Sequence, residues 1–293
     1  MTVVKIHLVD GTYELFRAHF GQPPRVGPDG MQVSAVRGLI QTLLSLTRQP
    51  DVTHIAVAFD SEIKSFRNDI YQNYKDGSDT PEDLRLQFPL AERAVHSLGI
   101  SVWPAYDFEA DDILGSAAVT YILDPEVDQV VICSPDKDLA QVVREKQIVC
   151  LDRKNNSVID ESEVIAKFGV KPSSIPDYLG LVGDAADGIP GIPKWGQKSS
   201  AAILLKYEEI ENIPTDSLLW DVSVRGASGL SKSLESRRSD AILYKKLATL
   251  RLDVCPDQKA QDLKWEGAST RLFKALCSEL GIENMTRSVH LWN

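Results

Sequence analysis

Apolar residues follow two rhythms along this chain. Apolar-rich runs at residues 3–9 (VVKIHLV), 54–59 (HIAVAF), 127–134 (VDQVVICS) and 148–151 (IVCL) have the length and β-branched content of buried strands. Between them, residues 33–48, 81–98 and 110–123 carry helical spacing. Strands alternating with helices predict an α/β fold with a mainly parallel central sheet covered on both faces. In such open sheets, ligands gather beyond the carboxyl ends of the strands. After residue 171 the pattern changes: KPSSIPDYLGLVGDAADGIPGIPKWGQ is rich in Gly and Pro, and short helical patterns follow it. This predicts a catalytic α/β domain over 1–171 and a helical domain over 172–293. Residues 61–80 are polar, with basic and aromatic side chains and no apolar stripe, which suggests a mobile segment above the sheet.

The remaining composition narrows the class. A chain of 293 residues can bury a sizeable core. Its cysteines, Cys133, Cys150, Cys255 and Cys277, form no CxxC pair, and Cys133 lies inside an apolar run, so buried thiols in a reducing cytoplasm are expected. No apolar stretch approaches the ~20 residues that span a bilayer, and a membrane partner is not expected. The formal net charge of −10 argues at first against a polyanionic partner. Charge is local, however. Residues 225–251 hold seven Lys or Arg (Arg225, Lys232, Arg237, Arg238, Lys245, Lys246, Arg251) against Glu235 and Asp240, a net +5 that is either a solvated helical face or a nucleic-acid contact.

Nine acids stand at the ends of apolar runs or at helix mouths: Asp10, Asp60, Glu109, Asp111, Asp112, Asp136, Asp138, Asp184 and Asp187. One acid after a strand is ordinarily a turn residue or a helix cap, and the acids of DFEADDILGSAA suit the positive end of a helix. Capping does not explain Asp10, Asp60 and Asp136 all following strand-like runs. Carboxylates gathered in one pocket repel unless neutralised, and hard divalent cations do this best. A pair of Mg2+ ions about 4 Å apart stabilises both the attacking and the leaving oxygen of a phosphodiester. The residues therefore point to two-metal phosphodiester hydrolysis.

Five motifs in order, LVDGTYELFRAHF, AVAFD with SFRNDIYQNYKDG, FEADDILGSAA, SPDKDLAQVV and GLVGDAADGIPGI, resemble the 5′-to-3′ exonuclease and flap endonuclease family, over residues 5 to about 254. The resemblance implies a PIN-like 5′ nuclease fold with a helical arch and a C-terminal helix-3-turn-helix subdomain. It implies that Asp10, Asp60, Glu109, Asp111 and Asp136 hold one metal, with Asp112 close through water. Asp138, Asp184 and Asp187 would hold the second, with Asp136 between the two. It makes Lys75 a catalytic contact to the scissile phosphate, Tyr74 a base-stacking ring and Arg67 a further phosphate contact, with the arch formed by residues from 75 to about 90. Residues 188–206 resemble a helix-hairpin-helix in which Gly191 and Gly196 are turn glycines, Lys198 reaches the DNA backbone, Ser199 and Ser200 start the helix, and K+ assists. Two positions depart from the family pattern. Ser78 stands where an arginine is usual, and Lys194 occupies the middle glycine of the hairpin, where it adds a cation facing the phosphates.

The expected protein is a Mg2+-dependent (or Mn2+-dependent) 5′-to-3′ exonuclease and flap endonuclease. It would act on branched, nicked or flapped DNA and on RNA primers, in DNA replication and repair, as a cytoplasmic monomer without a polymerase region. The alternative from another class is a catalytically weak DNA-junction-binding protein of the same fold, which should have lost metal ligands. A PIN-like ribonuclease is the third reading, and the hairpin and arch motifs argue against it.

Overall fold

The computed structural model describes residues 4–62 and 64–293. Val3, the first residue of the expected opening strand, lies outside them. The chain forms two compact units interleaved in sequence: Met1–Ser65, Gly77–Ser134 and Leu252–Asn293 make the first, and Phe66–Asp76 with Pro135–Arg251 the second.

The first unit is built on parallel strands β1 (Lys5–Asp10), β2 (His54–Asp60), β3 (Ser101–Ala105) and β4 (Gln129–Cys133), paired in the order β3-β2-β1-β4. β1 and β2 read as near-continuous apolar runs because they are buried on both faces; Ile6, Leu8, Val9, Ala56, Val57 and Phe59 have no exposed surface. β3 was not expected from its sequence. Pro104 interrupts it, and a strand with a missing N–H is tolerated at a sheet margin, where β3 pairs only with β2 among these four strands. The helix Ala110–Tyr121 packs against all four strands. Gly11, directly after β1, opens the helix Gly11–Gly21 where a Cβ would meet Phe59 Cε1 at 2.5 Å, so only glycine lets the chain turn there.

Residues 77–80 form a turn, Glu82–Arg85 is a single helical turn, and Phe88–Ser97 follows with Phe88, Leu90 and Ala91 buried. This is how the stretch expected to form the arch is folded.

The second unit holds the antiparallel pair β5 (Ile148–Asp152) and β6 (Ser157–Ile159) and a helical part. There the helices Ile175–Val182 and Arg238–Ala248 cross closely: a Cβ on Gly180 would lie 2.8 Å from the Lys245 nitrogen. Beneath this crossing Asp177, 1% exposed, accepts from the Ile210 amide and pairs with Lys245 at 2.9 Å. Among the described residues no helix is long and apolar enough to cross a membrane.

Candidate metal centre and hairpin

In the first unit, register places two acids on one face. Asp10 pairs with Ala58, and the two-residue period of a strand puts Asp60 on the same side as Ala58. Each acid is held by N–H or hydroxyl donors. Asp10 caps the helix Gly11–Gly21, accepting from the Tyr13 amide at 2.8 Å, while its other oxygen accepts from Ser134 Oγ at 2.8 Å. The Asp60 amide donates to Thr12 Oγ1 at 2.9 Å, and Asp60 Oδ1 accepts from the Ala110 amide at 2.7 Å. That amide belongs to the mouth of the helix Ala110–Tyr121, where Glu109 is the N-cap. Glu109 accepts from Ser65 Oγ at 2.8 Å and donates its own amide to Asp112 Oδ2 at 3.0 Å. Asp112 has no exposed surface, and Asp111 lies half-buried in the same first turn. Asp10, Asp60, Glu109 and Asp112 thus share one hydrogen-bonded end of the sheet, built by helix capping.

In the second unit the acids meet each other. Asp138, Asp184 and Asp187 are 4–8% exposed, and one carboxylate oxygen from each lies within 4.8 Å of the others. Asp136 faces the same group: its Oδ1 accepts from the Asp138 amide at 2.9 Å, and the negative charge of Asp187 acts on it. Burial, and then the charges of Asp136, Asp187 and Asp184, push the Asp138 carboxyl well above the usual carboxylate range. The Asp136 carboxyl is raised too, chiefly because surrounding protein strips its oxygens of water although the residue as a whole is exposed, and against the amide bond from Asp138. Asp138 Oδ1 is buried with no hydrogen-bond partner among the described residues. Asp184 and Asp187 carry lysines instead. Lys137 Nζ lies 2.5 Å from Asp184 Oδ2, and Lys75 Nζ lies 2.8 Å from Asp187 Oδ1. Burial works against the charge of Lys137, but Asp184 outweighs it and holds the ammonium above its ordinary value. Lys137 carried no expectation from sequence. Its position inside SPDKDL, flanked by two of the acids, is the signal that could have found it.

The segment Phe66–Asp76, expected to be mobile, is folded into the second unit. Arg67 is 2% exposed, and its guanidinium donates to the carbonyls of Leu247 at 2.8 Å and Thr249 at 3.2 Å. In this conformation the guanidinium is turned inward onto these carbonyls. Tyr74 is 4% exposed, so its ring is not presented as a stacking platform in this conformation. Lys75 is exposed, with its Nζ on Asp187 and over the Tyr74 ring at 5.6 Å, and Ser78 is exposed.

The hairpin lies between the helices Ile175–Val182 and Gln197–Tyr207. Gly191 has φ +70, and a Cβ there would sit 2.5 Å from the Gly183 nitrogen, so glycine is required. Lys194 takes φ +74, the left-handed conformation that the usual middle glycine would supply at no cost. Lys194, Gly196 and Lys198 are exposed, the Gly196 amide donates to Ser199 Oγ at 3.1 Å, and Ser200 is buried. Trp195 is not part of this exposed face: it is 4% exposed and donates from Nε1 to the Leu230 carbonyl.

The basic run 225–251 is smaller than its count suggested. Lys245 is engaged by Asp177 and Glu211, and Arg238 donates to the carbonyls of Ile210 and Ile213, both at 2.9 Å. Arg225, Lys232, Arg237 and Lys246 remain on the exposed face.

A parallel sheet with acids at its carboxyl ends, joined to a helical unit with an acidic cluster and a glycine-dependent hairpin, defines the class of fold. Comparison with known proteins gives the family. Residues 5–169 match the model of the 5′-3′ exonuclease N-terminal resolvase-like domain, and residues 170–271 match that of the 5′-3′ exonuclease C-terminal SAM fold. The chain belongs to the 5′-3′ exonuclease family. It is 32% identical over 285 residues to a 5′-3′ exonuclease of Aquifex aeolicus, covering 97% of this chain and 94% of that protein. It is 31% identical over 284 residues to DNA polymerase I of Bacillus caldotenax, covering 96% of this chain but 32% of the polymerase, so the chain spans about a third of that relative. Among solved structures, the zinc-bound T5 5′-exonuclease aligns over 97% of this chain and 98% of its own, with TM-score 0.67 and 16% identity. The catalytic core of Rad2 with DNA substrate aligns over 98% and 91%, with TM-score 0.64 and 14% identity. At such identities these two likenesses concern the fold.

Proposed function

We propose that this protein is a metal-dependent 5′ nuclease that hydrolyses phosphodiester bonds as a 5′-to-3′ exonuclease and flap endonuclease. The observation that carries the reading is the buried trio Asp138, Asp184 and Asp187, with an unpartnered Asp138 oxygen, in a chain of this family. Hard oxygen donors, packed until they repel, suit a divalent cation such as Mg2+. Asp138, Asp184 and Asp187 would hold one ion, with Asp136 beside them, and Asp10, Asp60, Glu109 and Asp111 another, with Asp112 holding the helix mouth. When bound, such ions supply Lewis-acid stabilisation of the oxygens around the phosphorus.

The chain's own residues do the rest. Lys75, on the exposed side of its segment, neutralises the phosphate at the cut. Lys194 and Lys198 meet the sugar-phosphate backbone, and the Gly191–Gly196 turn, with Ser199 holding it, lets that backbone approach closely. Such contacts ignore sequence, which suits a substrate recognised by its branch, nick or flap, including an RNA primer on DNA. K+ at the hairpin, a monomeric state, a cytoplasmic location, a role in replication and repair, and domains over 1–171 and 172–293 belong to the same reading. Structural relatives solved with DNA support the choice of substrate: a T5 flap endonuclease pseudo-enzyme-product complex, Rad2 with DNA substrate, and human GEN1 with Holliday junction DNA.

The test is cleavage of a 5′-labelled flap duplex with Mg2+, with EDTA, and by Asp136→Ala with Mg2+. Cutting is expected only from the wild type with Mg2+. Persistent cutting by Asp136→Ala overturns the site assignment, and wild-type binding without cutting favours the junction-binding alternative.

A further inference from the structure

The acidic trio is not bare. Lys137 and Lys75 each place an ammonium on one of its carboxylates, at 2.5 Å from Asp184 and 2.8 Å from Asp187. The lysine side chains are 33% and 41% exposed, whereas those of Asp184 and Asp187 are 4% and 11% exposed. Each lysine thus reaches in from solvent with its charged end on a buried oxygen, a geometry from which a flexible stem can swing out again. Both lysines come from inside the same unit. Lys137 is fixed between Asp136 and Asp138, and Lys75 is held by its amide, which donates to the Asp187 carbonyl at 3.1 Å.

We propose that Lys137 and Lys75 are resident counter-ions of this cluster, and that a divalent cation enters it by exchange with them. The inference rests on the metal-binding reading of the trio. Buried carboxylates at this spacing must be compensated in every state of the protein. Without metal the two ammoniums do so in part. They cover Asp184 and Asp187 and leave Asp138 Oδ1 without a hydrogen-bond partner among the described residues. A dication among the same oxygens would sit within a few ångströms of both ammoniums, and like charges at that range repel. Metal uptake therefore drives Lys137 and Lys75 towards solvent. The exchange has two consequences. The unit stays folded while empty, and Lys75 becomes available to a substrate phosphate once the site is loaded.

The experiment uses the full chain, with Mg2+ alone as the probe. Melting temperature and Mg2+ affinity are measured for wild type, Lys137→Met and the milder Lys137→Gln, without metal and at saturating Mg2+. Exchange predicts that both variants melt lower than wild type without metal, melt at the wild-type temperature with Mg2+, and bind Mg2+ about three- to tenfold more tightly, since binding no longer breaks an ion pair. A variant that folds only with Mg2+ is the same result in stronger form. If Mg2+ stabilises wild type but the variants lose as much with it as without it, Lys137 stays paired in the loaded site and exchange is overturned. If Mg2+ leaves the wild-type melting temperature unchanged, the metal-binding reading of the trio fails and exchange falls with it.

Discussion

The two compact units bury acids at comparable depth and compensate them differently. In the first, Asp10, Asp60, Glu109 and Asp112 receive backbone amides and the hydroxyls of Ser65 and Ser134, as helix caps do. In the second, Asp138, Asp184 and Asp187 face one another; Asp187 takes the ammonium of Lys75, Asp184 that of Lys137 besides the Ala186 amide, and Asp138 Oδ1 has no partner among the described residues. Neutral donors with fixed geometry stabilise a carboxylate permanently. A mobile ammonium stabilises it until a better cation arrives. Removing an acid should therefore have opposite effects in the two units.

The largest effect is expected from Arg67→Met, which breaks the anchor of the segment that delivers Lys75. Two carbonyls lose a buried charged donor, and a loss of about 3 kcal/mol is expected by chemical denaturation, within the range for removing one partner of a buried charged group. A selective loss of DNA affinity with unchanged stability would instead mark Arg67 as a direct phosphate contact.

Next comes Asp138→Asn. It removes a buried carboxylate with an unpartnered oxygen, so the metal-free protein should gain stability, on the order of 1–3 kcal/mol, while losing Mg2+ binding. A loss of metal-free stability would mean that the trio does not repel.

That gain should depend on pH. The folded Asp138 carboxyl titrates well above its unfolded value of 3.8, so between those two values the folded state binds more protons than the unfolded one. Wild-type stability contributed by this group is therefore present at low pH and lost as pH rises through the folded value. The gap between Asp138→Asn and wild type should widen from pH 4 towards neutrality, as read by melting in EDTA. A gap constant with pH would contradict the assignment.

The smallest effect belongs to the first unit. Asp112→Ala removes one side of a capping box, and a loss of about 1 kcal/mol is expected with or without metal, opposite in sign to Asp138→Asn.

Much of this contrast could be read in the sequence, and the rest could not for definite reasons. The runs ending at Asp10 and Asp60 announced parallel strands because strands buried on both faces are apolar throughout, and DFEADDILG announced a helix mouth because capping is local. β3 escaped because Pro104 breaks its pattern, and β6 because a three-residue exposed strand leaves no periodic signal. The polar stretch around Arg67 read as open loop, since its tether to Leu247 and Thr249 spans about 180 residues of sequence. Lys137 went unnoticed because a lysine among acids looks like solvated charge until its partner, Asp184, is brought to it by the fold.

The decisive property is whether the second unit's acids hold an ion of their own. Electron paramagnetic resonance counting of bound Mn2+ on wild type, and on the variant carrying Asp184→Asn with Asp187→Asn, decides it. About two ions are expected on the wild type and about one on the variant; equal counts on both would mean that these acids hold no ion of their own.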